Sequence, residues 1–308
     1  MASCYVRKSR AEKGEDMVDP ERSIRTYYTA VSIRTRSEIM KKHLWKIFCA
    51  IVCVGLMAVG MGCFPEGSDQ KPVVIAIIDT GISTRAIPAE NILEGRNYLD
   101  PSLSTEDTYG HGTAVASVIL KHYPQGQLVP LVSNAYKDGR IRQVDHDMFA
   151  QMIRDAVDVY HCQIINLSVG LVSDKPSIRE AVAYAQEKGV LIVTSAGNDY
   201  AANGDLMYYP AGYESVLAVG SVNQEGTEIS AFSQRGEWVD IYACGEDVEI
   251  ATLSGNTKES GGTSYSAARV TAAAAGLWEK TPNLTLVQLQ VKLLEQCKEL
   301  TDGRKVLP

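Results

Sequence analysis

Four short segments of the chain carry side chains that could act together in catalysis. They are "VVIAIIDTG" with Asp79, "DTYGHGT" with His111, "VTSAGND" with Asn198, and "SGGTSYSAA" with Ser264. An Asp, a His and a Ser can form a triad in which the carboxylate orients the imidazole and the imidazole takes the hydroxyl proton. An Asn amide can donate a hydrogen bond to the oxyanion formed when the Ser attacks. These residue types therefore suggest acyl transfer through a serine nucleophile.

The Asp-Thr-Gly at residues 79–81 also occurs in a different chemistry. In aspartic peptidases two such loops face each other, and their carboxylates share one proton. That mechanism needs two loops in one chain, or a much shorter chain that dimerises, and this 308-residue chain has one Asp-Thr-Gly. Taken alone, the tripeptide is most simply a buried strand that ends in a turn-capping Asp.

His111 and Ser264 both stand close to a predicted helix start. The glycines on either side of His111 allow the backbone and a substrate to approach closely. Ser264 follows Gly-Gly-Thr and opens an Ala-rich helix, which would put its hydroxyl and its backbone N–H at the positive end of that helix. Each position also has a structural interpretation, because such residues frequently cap helices or loops.

The elements that must position these residues alternate between apolar strands and amphipathic helices. Strands are predicted at 73–78, 128–133, 163–167, 190–195, 216–222 and 239–242, and helices at 112–122, 148–161, 177–188, 264–280 and 285–296. This alternation indicates an α/β fold with a doubly wound, mostly parallel sheet and helices on both faces. Sites in such sheets form at the carboxyl ends of strands, which is where Asp79 and Asn198 fall.

Together, in the order Asp79, His111, Asn198, Ser264, the motifs resemble the subtilisin-like serine proteases (subtilases, peptidase family S8). The Asp-first, Ser-last order is that of subtilisin, and the 32-residue separation of Asp79 and His111 also fits. The segments "INLSVG", "SVLAVGSV" and "FSQRGEWVDIYACG" are similar to further parts of the family, so the resemblance covers residues 73–297. It implies a subtilisin-like fold and a serine endopeptidase, with Asp79 as the triad carboxylate and no cofactor required for the chemistry.

The resemblance also implies where a peptide or protein substrate would bind. The main chain of Ser168, Val169 and Gly170 would pair with the substrate as an added strand. The pocket for the residue before the scissile bond would have Ser195, Ala196, Gly197 and Asn198 as one wall. Its floor is commonly a Gly in the family, and here the aligned residue is Tyr208, which predicts a preference for small side chains.

Three positions depart from the family's pattern. Ala268 and Cys244 stand where the family has Pro, and Ala114 stands where it has His. None of these changes removes a reacting atom, so peptidase activity remains the expectation. Two alternatives stay open: a dedicated maturation protease for one precursor peptide, and a catalytically weak pseudoprotease that binds peptides at the surface.

The N-terminal part has the layout of an export signal. Residues 40–62 begin with a Lys pair, continue with an apolar stretch and end in small residues before Cys63. That is the order of a signal peptide, or of a membrane-anchoring helix, and both would place the remainder outside the cytoplasmic membrane. "GMGC" resembles a bacterial lipoprotein cleavage site, which implies a lipid on Cys63, although Gly60 departs from that pattern. We expect residues 1–39 to be upstream or disordered sequence, 63–72 a linker, and 73–308 the peptidase domain.

Charge and cysteine usage narrow the class of partners. Residues 1–62 carry 11 Lys and Arg against 6 Asp and Glu, whereas residues 63–308 carry 19 against 31. An acidic body without a basic stripe argues against nucleic acid as a partner. Cys162, Cys244 and Cys297 lack metal-type spacing, and we interpret them as structural thiols, with a disulfide between two of them left open. Extracellular subtilases often bind structural calcium, but no ligands can be assigned from this sequence.

Overall fold

The computed structural model describes residues 71–137 and 140–308. The predictions for residues 1–39, for the signal or anchor at 40–62, and for the lipidated Cys63 lie outside the described residues. Within the described ranges, none of the helices combines the length and the apolar character needed to cross a membrane.

The described residues form strands, six α-helices and one short 3-10 helix. The strands are β1 (Val74–Asp79), β2 (Arg96–Asn97), β3 (Gln127–Val132), β4 (Asn134–Lys137), β5 (Arg140–Gln143), β6 (Ile164–Leu167), β7 (Leu191–Ser195), β8 (Leu217–Val222), β9 (Ile241–Cys244), β10 (Val248–Ala251), β11 (Thr257–Ser260), β12 (Lys298–Glu299) and β13 (Lys305–Val306). The α-helices are α1 (His111–His122), α2 (His146–Asp158), α3 (Pro176–Glu187), α4 (Tyr200–Asn203), α5 (Thr263–Lys280) and α6 (Leu286–Glu295). The 3-10 helix covers Ala89–Asn91.

The main sheet of the described part has nine strands in the order β12-β13-β9-β8-β7-β6-β1-β3-β2. All neighbouring strands are parallel except β12 and β13, which are antiparallel at one edge. The chain leaves β1 toward β2 and β3 on one side and continues to β6 on the other. The carboxyl end of β1 therefore lies at the point where the strand order reverses, which is where open α/β sheets form their sites.

Both faces of the sheet are buried, as the alternating side chains of β1 demonstrate. Ile75 and Ile77 pack into one core cluster with residues of α1, α5 and α6. Ala76 and Ile78 pack into a second cluster with residues of α2 and α3. Because successive side chains of a strand point to opposite faces, a strand buried on both faces has to be apolar throughout. This confirms the predicted doubly wound α/β fold.

Helix α5 contributes small residues to the first core and one buried polar contact. Its buried alanines allow its axis to lie close to β6, β7, β8 and β9. The hydroxyl of Thr271 donates to Oδ1 of Asn166 on β6 at 2.9 Å, and both residues are fully buried. A buried amide without a partner would cost about 1–3 kcal/mol, so this bond favours one position of α5 on the sheet.

The predicted elements agree with the structure to within three residues at each end. The omissions are short elements: the four-residue helix α4, the 3-10 helix, and the strands β2, β4, β5, β10, β11, β12 and β13. The hairpins β4–β5 and β10–β11 escaped prediction because their strands alternate exposed and buried residues or are largely exposed. Such strands lack the continuous apolar run that marks the central sheet. The β10–β11 hairpin nevertheless leads directly into the Gly-Gly-Thr-Ser segment.

Candidate active site

The centre of the site is a hydrogen-bonded pair at the carboxyl end of β1. Nδ1 of His111 lies 2.8 Å from both carboxylate oxygens of Asp79. Asp79 is 4% exposed, and the backbone N–H of Thr80 also donates to its Oδ1 at 2.7 Å. The nearby Asp79 charge raises the pKa of His111 above its ordinary value, Asp107 adds to the rise, and burial opposes it. The pair therefore favours an imidazole that holds a proton on Nδ1 and keeps Nε2 for another partner.

The start of α1 can reach Asp79 because Gly112 has no side chain. A Cβ at Gly112 would lie 2.2 Å from the carbonyl oxygen of Gly81 and 3.2 Å from Cβ of Asp79. The Gly112 N–H donates to Oγ1 of Thr80 at 2.9 Å, which ties the helix start to the turn after β1. A side chain at position 112 would force the turn at Gly81 or the start of α1 to shift.

A second buried carboxylate, Asp107, organises the loop that precedes His111. Its Oδ1 accepts from the backbone N–H groups of Tyr109 and Gly110 at 2.9 and 2.8 Å. Its Oδ2 accepts from the N–H and the hydroxyl of Thr113 at 3.0 and 2.7 Å. Asp107 is 4% exposed, and its hydrogen bonds hold the backbone on both sides of His111 in place. It is a positioning residue that sequence reasoning missed, although an Asp shortly before a helix start is a recognisable capping signal.

Ser264 is the second residue of α5 and is 7% exposed. The ring of the next residue, Tyr265, lies 6.3 Å from the ring of His111, so the helix start and the imidazole are neighbours. Among residues 71–137 and 140–308, no hydrogen bond joins Ser264 to His111. Such bonds are commonly long in unliganded enzymes and shorten when substrate binds.

Asn198 is held against the same helix start by Thr263. Its Oδ1 accepts from the backbone N–H of Thr263 and from the Thr263 hydroxyl, both at 2.8 Å. Because an N–H can only donate, these bonds identify the amide oxygen and leave the NH₂ end of Asn198 as the free donor. The Thr263 hydroxyl also accepts from the Gly197 N–H at 3.2 Å. Thr263 directly precedes Ser264, so its bonds connect Asn198 to the start of α5. It is a second site residue that the sequence analysis did not identify.

The predicted substrate strand follows β6 and is only partly covered. Ser168 and Val169 are half-buried and Gly170 is exposed. Within the described part of the chain, these three residues make no backbone hydrogen bond, and pairing resumes at Leu171, which bridges Tyr209. Their main chain is therefore available to an extended peptide.

The ring of Tyr208 lies between two glycines of the predicted binding segments. A Cβ at Gly170 would be 3.4 Å from Cδ1 of Tyr208, and one at Gly197 would be 2.8 Å from its Cδ2. The Tyr208 hydroxyl donates to Asp199, whose carboxylate also accepts from Asn203 and from Nε2 of Gln234. The side chain therefore points into the slot between the two segments and is anchored there.

Ser195 and Ala196, two further predicted wall residues, are both buried. Ser195 is 7% exposed, and the side chain of Ala196 is fully buried in a core cluster, so Ala196 offers only main-chain atoms to a ligand. Across the described residues, no three His, Cys, Asp or Glu side chains group as metal ligands. Cys162, Cys244 and Cys297 are free thiols.

Comparison with known proteins identifies the family. A protein-family model described as the subtilase family matches residues 70–305. The chain belongs to the subtilase family.

Relatives and solved structures agree with this membership. Subtilisin Savinase from Lederbergia lenta is 34% identical over 236 residues, which cover 73% of this subtilase and 83% of Savinase. The minor extracellular protease Epr of Bacillus subtilis is 31% identical over 245 residues, 77% of this chain and 37% of Epr. A cold-adapted subtilisin-like serine proteinase of known structure has 24% identity and a TM-score of 0.67, covers 80% of this chain and 91% of its own, and shares the fold. The family match and these two relatives support a serine endopeptidase hydrolase, the class expected from the sequence.

The pKa values of His111 and His122 should depart from the ordinary imidazole value in opposite directions. We expect His111 to titrate above about pH 6.5, the usual imidazole value, because the Asp79 carboxylate stabilises its charged form. His122 should titrate below that value, because burial and the nearby Arg269 and Lys121 lower its pKa. A ¹H–¹³C NMR titration of the histidine rings measures both.

The matched variant for this titration is Asp79→Asn. It should lower the pKa of His111 and leave that of His122 unchanged. A His111 that titrates at or below the ordinary value in the unsubstituted protein would contradict the electrostatic coupling.

Proposed function

We propose that this subtilase is an exported serine endopeptidase that is anchored at the outer face of the cytoplasmic membrane and cleaves peptide bonds through Ser264, His111 and Asp79. The observation that carries the proposal is the 2.8 Å contact of His111 with both oxygens of the buried Asp79, beside the start of α5. A structural His seldom needs a buried carboxylate partner, whereas a general base gains its tautomer and orientation from one.

In the proposed reaction Ser264 attacks the carbonyl carbon of the scissile bond. Its proton passes to Nε2 of His111, and the imidazolium then gives that proton to the leaving amine as the C–N bond breaks. Asp79 stays ionised throughout and stabilises the positive ring. After the amine has left, a water molecule loses a proton to His111 and its oxygen attacks the acyl carbon. As the bond to Ser264 breaks, His111 returns that proton to the Ser264 oxygen and the acid product leaves.

The oxyanion of the tetrahedral intermediate would receive two hydrogen bonds. One comes from the NH₂ of Asn198 and the other from the backbone N–H of Ser264. Thr263 orients the Asn198 amide by donating to its Oδ1. The positive end of the α5 dipole lies behind both donors. Donors that are fixed before the reaction lower the barrier because they need no reorganisation during it.

The substrate would bind as an added strand along Ser168 to Gly170, with the residue before the scissile bond beside Tyr208. The orientation of the Tyr208 ring, between Gly170 and Gly197, supports a preference for small residues at that position. The extracellular relative Epr and the layout of residues 40–62 support export.

Replacing Ser264 with Ala should abolish covalent labelling by a fluorophosphonate probe and reduce peptide cleavage to background. The protein should still fold, because the change removes one oxygen at a helix start. Asn198→Ala should retain labelling but lower kcat by roughly 10²–10³-fold, the loss expected when one oxyanion donor is removed. Circular dichroism controls for folding, and a fully active Ser264→Ala enzyme would refute the mechanism. An unsubstituted enzyme that binds peptides without labelling would instead indicate a pseudoprotease.

Tyr208→Gly should widen the accepted residues before the scissile bond. We expect the unsubstituted enzyme to cleave after Gly, Ala or Ser, and the variant to gain about 10- to 200-fold in kcat/KM for Phe or Leu relative to Ala. Tyr208→Phe is the matched control, because it keeps the ring and loses only the bond to Asp199. Profiling with a peptide library measures the preference. Strong selection for Phe or Leu by the unsubstituted enzyme would show that the ring does not limit the pocket.

If the protein is anchored to the membrane as proposed, Cys63 should carry a lipid. Intact mass of the protein from the membrane fraction should correspond to a chain that begins at a diacylated Cys63. Cys63→Ser should shift the protein out of that fraction or leave an uncleaved signal. A mature N-terminus at another residue without lipid would contradict this part of the proposal.

A further inference from the structure

A second cleft begins at His111 and shares no residue with the slot that Tyr208 fills. Its volume is about 640 Å³. One wall is the 109–111 segment before α1, the other is the β10–β11 hairpin, and Tyr265 is part of the lining. We call it the His111 cleft.

The chemistry of the proposed function determines which half of a substrate would enter the His111 cleft, and the inference rests on that function. The imidazole must give its proton to the amine that leaves, so the first residue of the leaving peptide has to lie against His111. The acyl half is already assigned to the segment from Ser168 to Gly170 and to Tyr208. The cleft that His111 itself lines is therefore the path of the leaving half.

Of the residues that line this cleft, Lys258 alone is a Lys, Arg, Asp or Glu. The register of the hairpin accounts for this. Lys258 stands opposite Ile250, whereas Glu249 stands opposite Glu259. Because paired residues project to the same face and successive residues to opposite faces, both glutamates lie on the face away from Lys258.

The ammonium of Lys258 also lacks an intramolecular partner in the part of the chain that the structure describes. The neighbouring Glu249 is engaged by Lys121 at 3.1 Å, on the other face of the hairpin. Elsewhere the body is acidic, with 31 Asp and Glu against 19 Lys and Arg over residues 63–308. An unpaired cation at the edge of a substrate cleft in an acidic protein attracts a negative group and repels positive ones.

We propose that the His111 cleft recognises a carboxylate on the leaving peptide, paired with Lys258, within the first residues after the scissile bond. The carboxylate is either an acidic side chain or the free C-terminus of a short leaving peptide. Leu253, which is partly exposed, provides apolar surface for the stem that carries it. Lys258 acts here as a specificity residue and takes no part in bond breaking.

The test uses peptides with one common acyl half that ends in Ala and four leaving halves. These carry Glu or Gln in the second position after the scissile bond, each with a free or an amidated C-terminus. Mass spectrometry of the products fixes the bond that is cleaved, and fluorophosphonate titration gives the active fraction. The measured quantity is the ratio of kcat/KM between a charged peptide and its neutral counterpart.

We expect a ratio of roughly two- to fivefold in favour of the carboxylate for the unsubstituted enzyme, the range of an exposed ion pair. The ratio should fall toward one in Lys258→Met, invert in Lys258→Glu, and shrink at high salt. Lys298→Met, which removes the same charge from the edge strand β12, is the control and should keep the ratio. A preference confined to Glu over Gln identifies the side chain as the source, and one confined to free over amidated peptides identifies the C-terminus.

Two results overturn the proposal in different ways. Ratios near one for all peptides, with normal labelling of Ser264, refute carboxylate recognition while the peptidase function stands. A protein that neither labels nor cleaves refutes the peptidase function and this assignment with it. An equal fall of the ratio in Lys258→Met and Lys298→Met would show that overall charge, and not the cleft, is responsible.

Discussion

Two buried carboxylates govern the geometry of this site, because a charge removed from water has to be met by hydrogen bonds. Asp79 receives the His111 ring and the Thr80 N–H, and Asp107 receives four donors from Tyr109, Gly110 and Thr113. The loops on either side of the imidazole are therefore shaped to satisfy these charges. A substitution that removes the hydrogen-bond donors of either carboxylate would therefore both destabilise the fold and displace the imidazole.

Ser264 and Asn198, the proposed nucleophile and the proposed oxyanion donor, belong to a second unit that is joined to the first by packing. Thr263 links Asn198 at the end of β7 to the start of α5, so the strand end and the helix move together. The alanines of α5 bring that helix onto the sheet, and the Thr271–Asn166 bond favours its position. Positioning at the site therefore depends on a contact about two helical turns away from Ser264.

The sequence predicts the central sheet and the site residues that follow its apolar strands, but not the contacts that loops and polar strands make in the folded protein. Asp79 and Asn198 follow continuous apolar runs, and the rule that parallel strands end at a common edge brings them together. Asp107 was missed because the four groups that donate to its carboxylate become visible only in three dimensions. The His111 cleft depends on a hairpin whose polar strands carry little periodic signal. The direction of the Tyr208 ring is a tertiary property, since it is fixed by Asp199 and by two glycines distant in sequence.

The filled slot at Tyr208 has a consequence for how a peptide could gain affinity. A pocket occupied by the protein's own ring holds little water to release, so a small side chain that enters it contributes little hydrophobic energy. Affinity on that side must then come from main-chain hydrogen bonds, which all extended peptides can make. The enzyme would select first for segments whose backbone is free to become extended, and folded proteins would be spared wherever their strands and helices already occupy those bonds.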